Sequence, residues 1–197
     1  MNVKRTQVER SEATRRVLID AARELFGARG YGDVGTEEIV ARAGVTRGAL
    51  YHQFADKKDL FRAVVTSLEE QMIARVALEA TTGAATAGEV LRQVVGAWLD
   101  VCEDPVVNRI LLLDAPGVLG WEEWRAIGEQ FGLGTAMALL GQAMDEGAIA
   151  RQPVRPLAHV VIGALDEAAL YVARAEDRTT ARAEMDSVLA RLIDGLR

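Results

Sequence analysis

The 197-residue chain contains one cysteine, Cys102, which cannot form a disulfide within the chain. It has only four prolines, and the alternation of apolar and polar residues that marks a half-buried strand is scarce. The two histidines and the cysteine are far apart in sequence, which argues against a transition-metal site. No nucleophile elbow, Walker loop or dinucleotide fingerprint occurs. We therefore expect neither an enzyme nor a bound cofactor or metal.

Membrane and export signals are also missing. No apolar stretch reaches the roughly 18 residues that a membrane span needs, because charged residues interrupt each long apolar region. Residues 1–16 are charged and lack the apolar core of a signal peptide. A single cysteine suits a reducing compartment. We expect a cytoplasmic protein that does not bind membranes.

An overall basic charge is lacking too, but the charge is unevenly distributed. The net charge is −6, yet residues 1–62 contain 12 Lys and Arg against 9 Asp and Glu, a balance of +3. The remaining residues contain 11 against 20, a balance of −9. Nucleic-acid binding requires a local positive face rather than a basic protein. The N-terminal part is therefore the candidate for DNA contact, and the acidic remainder should point away from phosphates.

What the chain does contain is apolar residues at helical spacing along nearly its whole length. This periodicity predicts an all-α fold of about nine helices. Their approximate bounds are 14–29, 36–43, 46–54, 57–79, 86–102, 105–114, 120–147, 156–175 and 180–196. The small-residue segment 80–88 is the best candidate for a break in organisation. It ends in a predicted capping box, Thr86 to Glu89.

The second and third predicted helices form a candidate helix-turn-helix. They are short, and Gly44-Val45 joins them, where glycine permits a sharp turn. Thr36 and Thr46 are suited to the two helix N-termini. Apolar residues on both helices would pack the pair onto the first helix: Ile39, Val40, Ala43, Val45, Leu50 and Phe54.

The opposite face of the third helix is the candidate DNA-reading surface. It consists of Thr46, Arg47, Gly48, Ala49, Tyr51 and His52. Such a helix can lie in the major groove, where arginine is the natural bidentate reader of guanine. Gly48 and Ala49 would allow close approach, and Ala49 could contact a thymine methyl. The alternative is that Arg47 is an ordinary solvent-exposed arginine.

Phosphate contacts would fix the position of the protein on DNA rather than the sequence it reads. The candidates are Tyr51, His52, Thr36, Lys57 and Lys58. The two lysines could instead simply begin the next helix. We favour Lys57 for phosphate, since a cation at a helix N-terminus gains nothing from the helix dipole.

Residues 14–62 resemble the N-terminal domain of the TetR (tetracycline-repressor) family. The matching segments are LFGARGY (25–31) and TEEIVARAGVTRGALYHQFADKKDLF (36–61). Family members are all-helical homodimers with a variable C-terminal ligand domain. The resemblance implies DNA contacts at Thr36, Thr46, Arg47, Tyr51, His52 and Lys57. The family often has hydroxyl residues just before the position of Thr36, whereas this chain has Val34 and Gly35, which lack the hydroxyl groups for such phosphate contacts.

This resemblance implies two domains. Residues 1–62 would form the DNA-binding domain, and residues 63–197 a helical ligand-binding and dimerisation domain. The helix from about 57 to 79 would link them. The segment 111–124 would be placed to couple ligand entry to helix motion, by analogy with the family.

The ligand pocket is much less readable from the sequence. Its candidates are aromatic, apolar or polar residues within apolar runs: Trp98, Cys102, Asn108, Leu112, Trp121, Trp124, Phe131, Met137 and Asp166. Three tryptophans make a broad, flat pocket plausible. Apolar residues at helical spacing more commonly form a core, and acids more commonly lie on exposed faces. If Asp166 were buried, it would favour a cationic ligand.

The last two predicted helices each have an apolar stripe. The stripes are Val160, Val161, Ala164, Leu165, Ala168 and Tyr171, and Met185, Val188, Leu189, Leu192, Ile193 and Leu196. Small residues such as Gly163 allow close approach between helices. We predict that these helices pair with their copies in a four-helix dimer interface. The alternative is a core within one chain.

Together these features predict a dimeric, sequence-specific DNA-binding regulator. It would act as a repressor that leaves a pseudo-palindromic operator when a small-molecule effector binds. One alternative is a DNA-binding dimer without a small-molecule effector. The other is a ligand-binding helical protein or an enzyme, for which the chain offers no catalytic constellation.

Overall fold

The computed structural model describes residues 7–196, and the described chain forms nine helices without a strand. The all-α prediction is confirmed. In chain order the helices are α1 (Gln7–Arg29), α2 (Thr36–Ala43), α3 (Arg47–Gln53), α4 (Lys57–Thr81), α5 (Ala87–Cys102), α6 (residues 105–118), α7 (Trp121–Asp145), α8 (Val154–Arg174) and α9 (Arg178–Asp194).

The first three helices pack around one apolar centre. Phe26 of α1 meets the ring of Phe61 of α4 edge-on, with ring centroids 5.3 Å apart. Ile39 of α2 and Leu50 of α3 are fully buried against this centre. Between α2 and α3, Gly44 has a φ of 67°, and its N–H donates to the carbonyls of α2. A side chain is strained in that conformation, which explains the glycine at the turn.

The α4 helix runs from the N-terminal helices into the second half of the fold. Asp56 accepts a hydrogen bond from Asp59 N at 2.7 Å, while the Asp59 carboxylate accepts from Ala55 N at 3.0 Å. The pair resembles a capping box in which the second donor is Ala55 N, one residue before the N-cap. The inward face of α4 contains Leu68, Glu69 and other buried residues and contacts α5 and α7.

The α6 helix is interrupted by a wider turn. It consists of Pro105–Val107, the π-helical segment Asn108–Asp114 and Ala115–Val118. Pro116 has no N–H, so the carbonyl four residues earlier lacks its α-helical partner, and such points favour a π-turn. The sequence predicted a helix ending near Asp114, but the chain continues in helical form to Val118.

The C-terminal bundle consists of α5, α7, α8 and α9 around the far half of α4. Thr86 caps α5 by accepting from Glu89 N at 3.2 Å, and the Glu89 carboxylate accepts from Thr86 N at 3.2 Å. The capping box predicted at these two residues is confirmed. Trp98 of α5 donates its indole N–H to the carbonyl of Leu165 of α8 at 3.0 Å, which fixes these helices together inside the bundle.

One helix of the described chain, α8, is long and apolar enough to cross a membrane by length and composition alone. The expectation that no apolar stretch is long enough for a span does not hold for this helix, although it contains Asp166 and Glu167. In the fold, α8 contacts α5, α6, α7 and α9 and has eight buried residues. Core helices of globular proteins meet the same criteria, so this finding is weak evidence for a membrane span.

Candidate DNA interface and internal cavity

The α3 helix is anchored from one side and open on the other. Leu50 is fully buried, and Thr46 caps the helix by accepting from Ala49 N at 3.2 Å. The predicted reading face lies outward: Thr46, Arg47, Gly48, Tyr51 and His52 are exposed, and Ala49 is half-buried. The structure thus brings the residues of this face together on one surface.

Arg47 lies at the centre of this surface. Its Nη1 atom is 3.1 Å from a carboxylate oxygen of Glu37 at the start of α2. Its guanidinium carbon is 5.5 Å from the ring centroid of Tyr51, which is 44% exposed. Both members of the ion pair are exposed, so the pair is weak and leaves Arg47 available to another acceptor.

The start of α2 borders the same surface. Thr36 is half-buried at the first helical position, and Gly35 precedes it. The N–H of Gly35 donates to the Glu38 carboxylate at 3.2 Å, and Glu38 also pairs with Arg29. Val34 is buried and, like Gly35, has no hydroxyl group. At this helix end the candidate donors to a phosphate are therefore the backbone N–H groups and the hydroxyl of Thr36.

The two lysines at the start of α4 point in different directions. The Lys57 ammonium lies 4.1 Å from the ring centroid of Tyr31, and burial lowers its pKa. Lys58 donates to the backbone carbonyl of Leu119 at 3.4 Å and is half-buried. The Lys58 side chain thus points toward the segment between α6 and α7, which favours Lys57 over Lys58 for a phosphate contact.

Several contacts connect the N-terminal helices to α6 and α7. Asp114 accepts from the backbone N–H of Tyr31 at 2.7 Å, and Arg109 donates to the carbonyl of Arg29 at 3.3 Å. Arg62 of α4 forms an ion pair with Glu123 of α7. Helix α6 therefore lies between the end of α1 and the bundle.

The bundle contains a partly open cavity of about 430 Å³ between α4, α5, α7 and α8. Its lining is mainly aliphatic, with Trp98 and Trp124 as the aromatic members. Its charged members are Glu69, Arg125 and Asp166. An apolar pocket with a few convergent polar groups is the usual form of a small-molecule site.

Of the three charged side chains that line the cavity, Arg125 and Asp166 pair with each other, whereas Glu69 has no ion-pair partner among the described residues. Arg125 Nη1 donates to Asp166 at 2.9 Å, and Arg125 Nη2 donates to Glu129 at 3.3 Å. Burial raises the pKa of Asp166 to about 6, against the opposing effect of Arg125. Burial, followed by repulsion from Asp166, raises the pKa of Glu69 to about 8. The Glu69 carboxyl is therefore mostly protonated at neutral pH.

The predicted pocket residues lie in different places. Trp98, Trp124 and Asp166 line the cavity, whereas Cys102 and Asn108 line a separate pocket of about 240 Å³. Leu112 is buried in the main core, and Phe131 and Met137 are half-buried against core residues. Trp121 is 55% exposed and packs on Trp124, with ring centroids 4.9 Å apart. None of these last four residues is among those that line either pocket.

Sequence reasoning missed Glu69 and Arg125. Glu69 lies at helical spacing from Val65, Met72 and Val76, so it is a single acid within the apolar stripe of α4. That position was a readable signal. Arg125 follows Trp124 in a helix that begins with two acids, and nothing in its sequence context distinguishes it from a surface arginine.

The outer faces of α8 and α9 expose large apolar side chains. These are Val160, Tyr171, Val188 and Leu192. Other members of the predicted stripes, Leu165, Ala168 and Leu189, are buried within the chain. The stripes therefore serve partly as the core of one chain and partly as an open apolar surface.

Taken together, two helices joined by a tight turn, with the polar face of α3 exposed, define a helix-turn-helix DNA-binding protein with a helical bundle attached. The sequence pattern described as "Bacterial regulatory proteins, tetR family" matches residues 18–64. The pattern described as "Tetracyclin repressor-like, C-terminal domain" matches residues 88–196. The chain belongs to the TetR family of transcriptional regulators.

Individual relatives agree with this assignment. The transposon Tn10 TetC protein of Escherichia coli is 31% identical over 147 residues, which cover 74% of this chain and 73% of TetC. A TetR-family transcriptional regulator from Pectobacterium atrosepticum is 33% identical and superposes with a TM-score of 0.86 over 98% of this chain and 97% of its own. FadR of Bacillus subtilis, solved with stearoyl-CoA, shares the fold at 23% identity, with a TM-score of 0.72 over 92% of this chain and 99% of FadR.

Proposed function

We propose that this regulator is a cytoplasmic repressor that binds a pseudo-palindromic operator as a homodimer and leaves it when a small molecule occupies the cavity. Residues 1–62 would form the DNA-binding domain and residues 63–197 the ligand-binding and dimerisation domain. The observation on which this rests most is the position of α6, which contacts α1 through Asp114 and Arg109 and follows the cavity-lining helix α5.

The proposed DNA contacts are those of the exposed α3 face and its borders: Thr36, Thr46, Arg47, Gly48, Ala49, Tyr51, His52 and Lys57. Arg47 would exchange Glu37 for a guanine, because a base in the groove offers two acceptors in a plane. Tyr51, His52 and Lys57 would contact phosphates. To reach a phosphate, the Lys57 ammonium would have to move from its position over the Tyr31 ring.

The proposed dimer interface is the open apolar surface of α8 and α9. Exposed Val160, Tyr171, Val188 and Leu192 would be buried against the same residues of a second copy in a two-fold arrangement. This would hold two α3 helices about 34–36 Å apart, the spacing of successive major grooves.

Release would follow from a change in that spacing. A ligand in the cavity contacts α4, α5, α7 and α8 at once, so it can favour one relative position of these helices. A coupling free energy of about 1–3 kcal/mol would lower operator affinity roughly 5- to 150-fold. FadR of Bacillus subtilis, which binds stearoyl-CoA in a related fold, supports the assignment of a ligand to this domain.

The test is a fluorescence anisotropy titration of a duplex selected by affinity from a random pool. We expect the affinity to fall steeply with salt, since phosphate contacts release counterions. We also expect that at least one compound which raises the melting temperature also weakens DNA binding. A protein whose stabilising ligands all leave DNA affinity unchanged would contradict the release mechanism, and one without salt-dependent DNA binding would contradict the proposal as a whole.

A further inference from the structure

The cavity contains a buried carboxyl group, that of Glu69, with one oxygen atom that no described residue pairs. Glu69 is only 5% exposed, and among residues 7–196 its Oε2 atom has no hydrogen-bond partner. Arg125, the cation on the same lining, is engaged by Asp166 and Glu129. Buried polar atoms in native proteins are nearly always paired, so this unpaired oxygen requires an explanation.

A second polar atom of the same lining is also unpaired. In the part of the chain that the structure describes, the indole N–H of Trp124 is buried and has no acceptor. Trp98, by contrast, has its indole N–H bonded to Leu165. A carboxyl acceptor and an indole donor left open at one apolar cavity indicate contacts that a ligand would complete.

We propose that the cavity binds an organic cation with a large apolar body, whose protonated amine contacts Glu69 while the rest of the molecule lies against Trp98, Trp124 and the aliphatic lining. This inference rests on the proposed function only in taking the cavity as the effector site. Arg125, the cation on the described lining, is already paired with Asp166 and Glu129, so an anion would find no free cation there. The tryptophan faces add a further attraction for a cation.

The protonation of Glu69 gives this recognition a pH dependence. The ionisable groups around it are Asp166 of α8 with its partner Arg125 of α7, and the thiol of Cys102 of α5. Burial raises the pKa of the Cys102 thiol, so it stays neutral. Because the pKa of Glu69 is about 8, its carboxyl is mostly protonated at pH 7 and must lose its proton to pair with an ammonium group.

Amine binding should therefore release about one proton at neutral pH and should tighten as the pH rises from 6 to 8. The affinity for the amine should rise by nearly tenfold per pH unit at the acidic end of this range. The ionisation of Asp166, whose pKa is about 6, should add a smaller rise in affinity near pH 6.

Three probes with one apolar body test the proposal: 4-phenylbutylamine, 4-phenylbutan-1-ol and 4-phenylbutanoate. Binding to the full-length protein would be measured by calorimetry near pH 8, with thermal shift as a second readout. We expect the amine to bind at least about tenfold more tightly than the carboxylate, and also more tightly than the alcohol. No binding of the amine at millimolar concentration, or tighter binding of the carboxylate, would overturn the proposal.

The variant Glu69→Gln keeps the shape of the side chain and removes its charge. We expect it to abolish the preference for the amine over the alcohol, whereas the matched change Glu70→Gln, at an exposed neighbouring position, should preserve it. An unchanged amine preference in Glu69→Gln would refute the role of Glu69. If Glu69→Gln did not fold, proton release by the wild-type protein in two buffers of different ionisation enthalpy would decide, and zero release on amine binding would refute it.

DNA release measured separately with the same probes distinguishes the two proposals. An amine that binds through Glu69 but leaves the DNA complex intact supports the cation site and contradicts the proposed release mechanism. A carboxylate that binds more tightly than the amine and dissociates the DNA complex supports the release mechanism and contradicts the cation site.

Discussion

Asp114 accepts a hydrogen bond from the backbone N–H of Tyr31 across 83 residues of sequence, at 2.7 Å. Asp114 ends the π-helical segment of α6, and Tyr31 lies two residues beyond the end of α1. The Tyr31 ring packs against Phe26 and Phe61, with centroid distances of 5.6 and 4.9 Å. The Asp114 carboxylate is thus one of the contacts that attach α6 to the aromatic centre that supports α2 and α3.

The first prediction concerns this attachment. Asp114→Ala should lower the free energy of unfolding by about 1–3 kcal/mol, because the N–H of Tyr31 loses a charged acceptor in a half-buried position. It should also reduce the ratio of DNA affinities measured without and with a bound effector. Urea unfolding and anisotropy titrations would measure the two effects.

The matched control is Glu70→Ala, which removes an exposed carboxylate from α4. We expect it to change stability by less than about 0.5 kcal/mol. If Asp114→Ala behaved like this control in both assays, the connection through Tyr31 would have no role in coupling.

The second prediction concerns Arg47. Arg47→Ala should weaken binding to a selected operator by about 1–3 kcal/mol and relax specificity at one base pair of each half-site. The exposed Arg155 of α8 provides the control, since Arg155→Ala removes the same charge far from α3. Equal affinities of Arg47→Ala for operator and scrambled DNA, both unchanged from wild type, would show that Arg47 does not read DNA.

The third prediction concerns dimerisation. Leu192 is 55% exposed on α9, and Leu192→Glu should convert the dimer to monomer, because a charge would be buried at the interface. Leu78, 69% exposed on α4, lies outside the proposed interface, and Leu78→Glu should leave the dimer intact. Sedimentation equilibrium distinguishes these outcomes. A dimer that survives Leu192→Glu without loss of affinity would place the interface elsewhere.

The fourth prediction is the pH dependence of stability. The pKa of Glu69 is about 8 in the folded protein and near its ordinary value of 4.5 when unfolded. Between these values the folded state binds more protons, so stability should fall as the pH rises, by roughly 3 kcal/mol from pH 5 to 8.

Glu69→Gln has no proton to lose and should show a much flatter profile, while Glu70→Gln should follow the wild type. Asp166, with its pKa raised to about 6, contributes a smaller fall below pH 6 in all three proteins. Urea unfolding at a series of pH values measures these slopes. Parallel profiles for wild type and Glu69→Gln would show that the carboxyl does not titrate as its burial requires.

Local signals in the sequence were sufficient to predict most of the helices and their approximate ends. The predicted bounds 36–43 match α2, because Thr36 with its acids and the left-handed Gly44 mark both ends. The first helix was predicted to begin at about Thr14 but begins at Gln7, since the polar residues before Thr14 show no apolar periodicity. Helix α6 was predicted too short, because Pro116 suggests an end where the chain forms a π-turn instead.

The DNA-contact and cavity residues were predictable only where the position of a side chain depends on its own helix and not on residues distant in sequence. The exposed face of α3 follows from its own periodicity and from Leu50 facing inward. The direction of Lys58 depends on the carbonyl of Leu119, 61 residues away, and no local pattern reveals it. Likewise Trp121 and Trp124 are three residues apart, yet one is exposed and the other lines the cavity. Tertiary packing decides between them.

The most direct test of the central claim, that two α3 helices read one duplex as a symmetric pair, is in vitro selection of DNA from a random pool by the wild-type protein. We predict enrichment of an inverted repeat whose half-sites are about one helical turn apart, with a guanine in each that Arg47→Ala no longer selects. Enrichment of a single asymmetric site, or of no sequence above the starting pool, would contradict it.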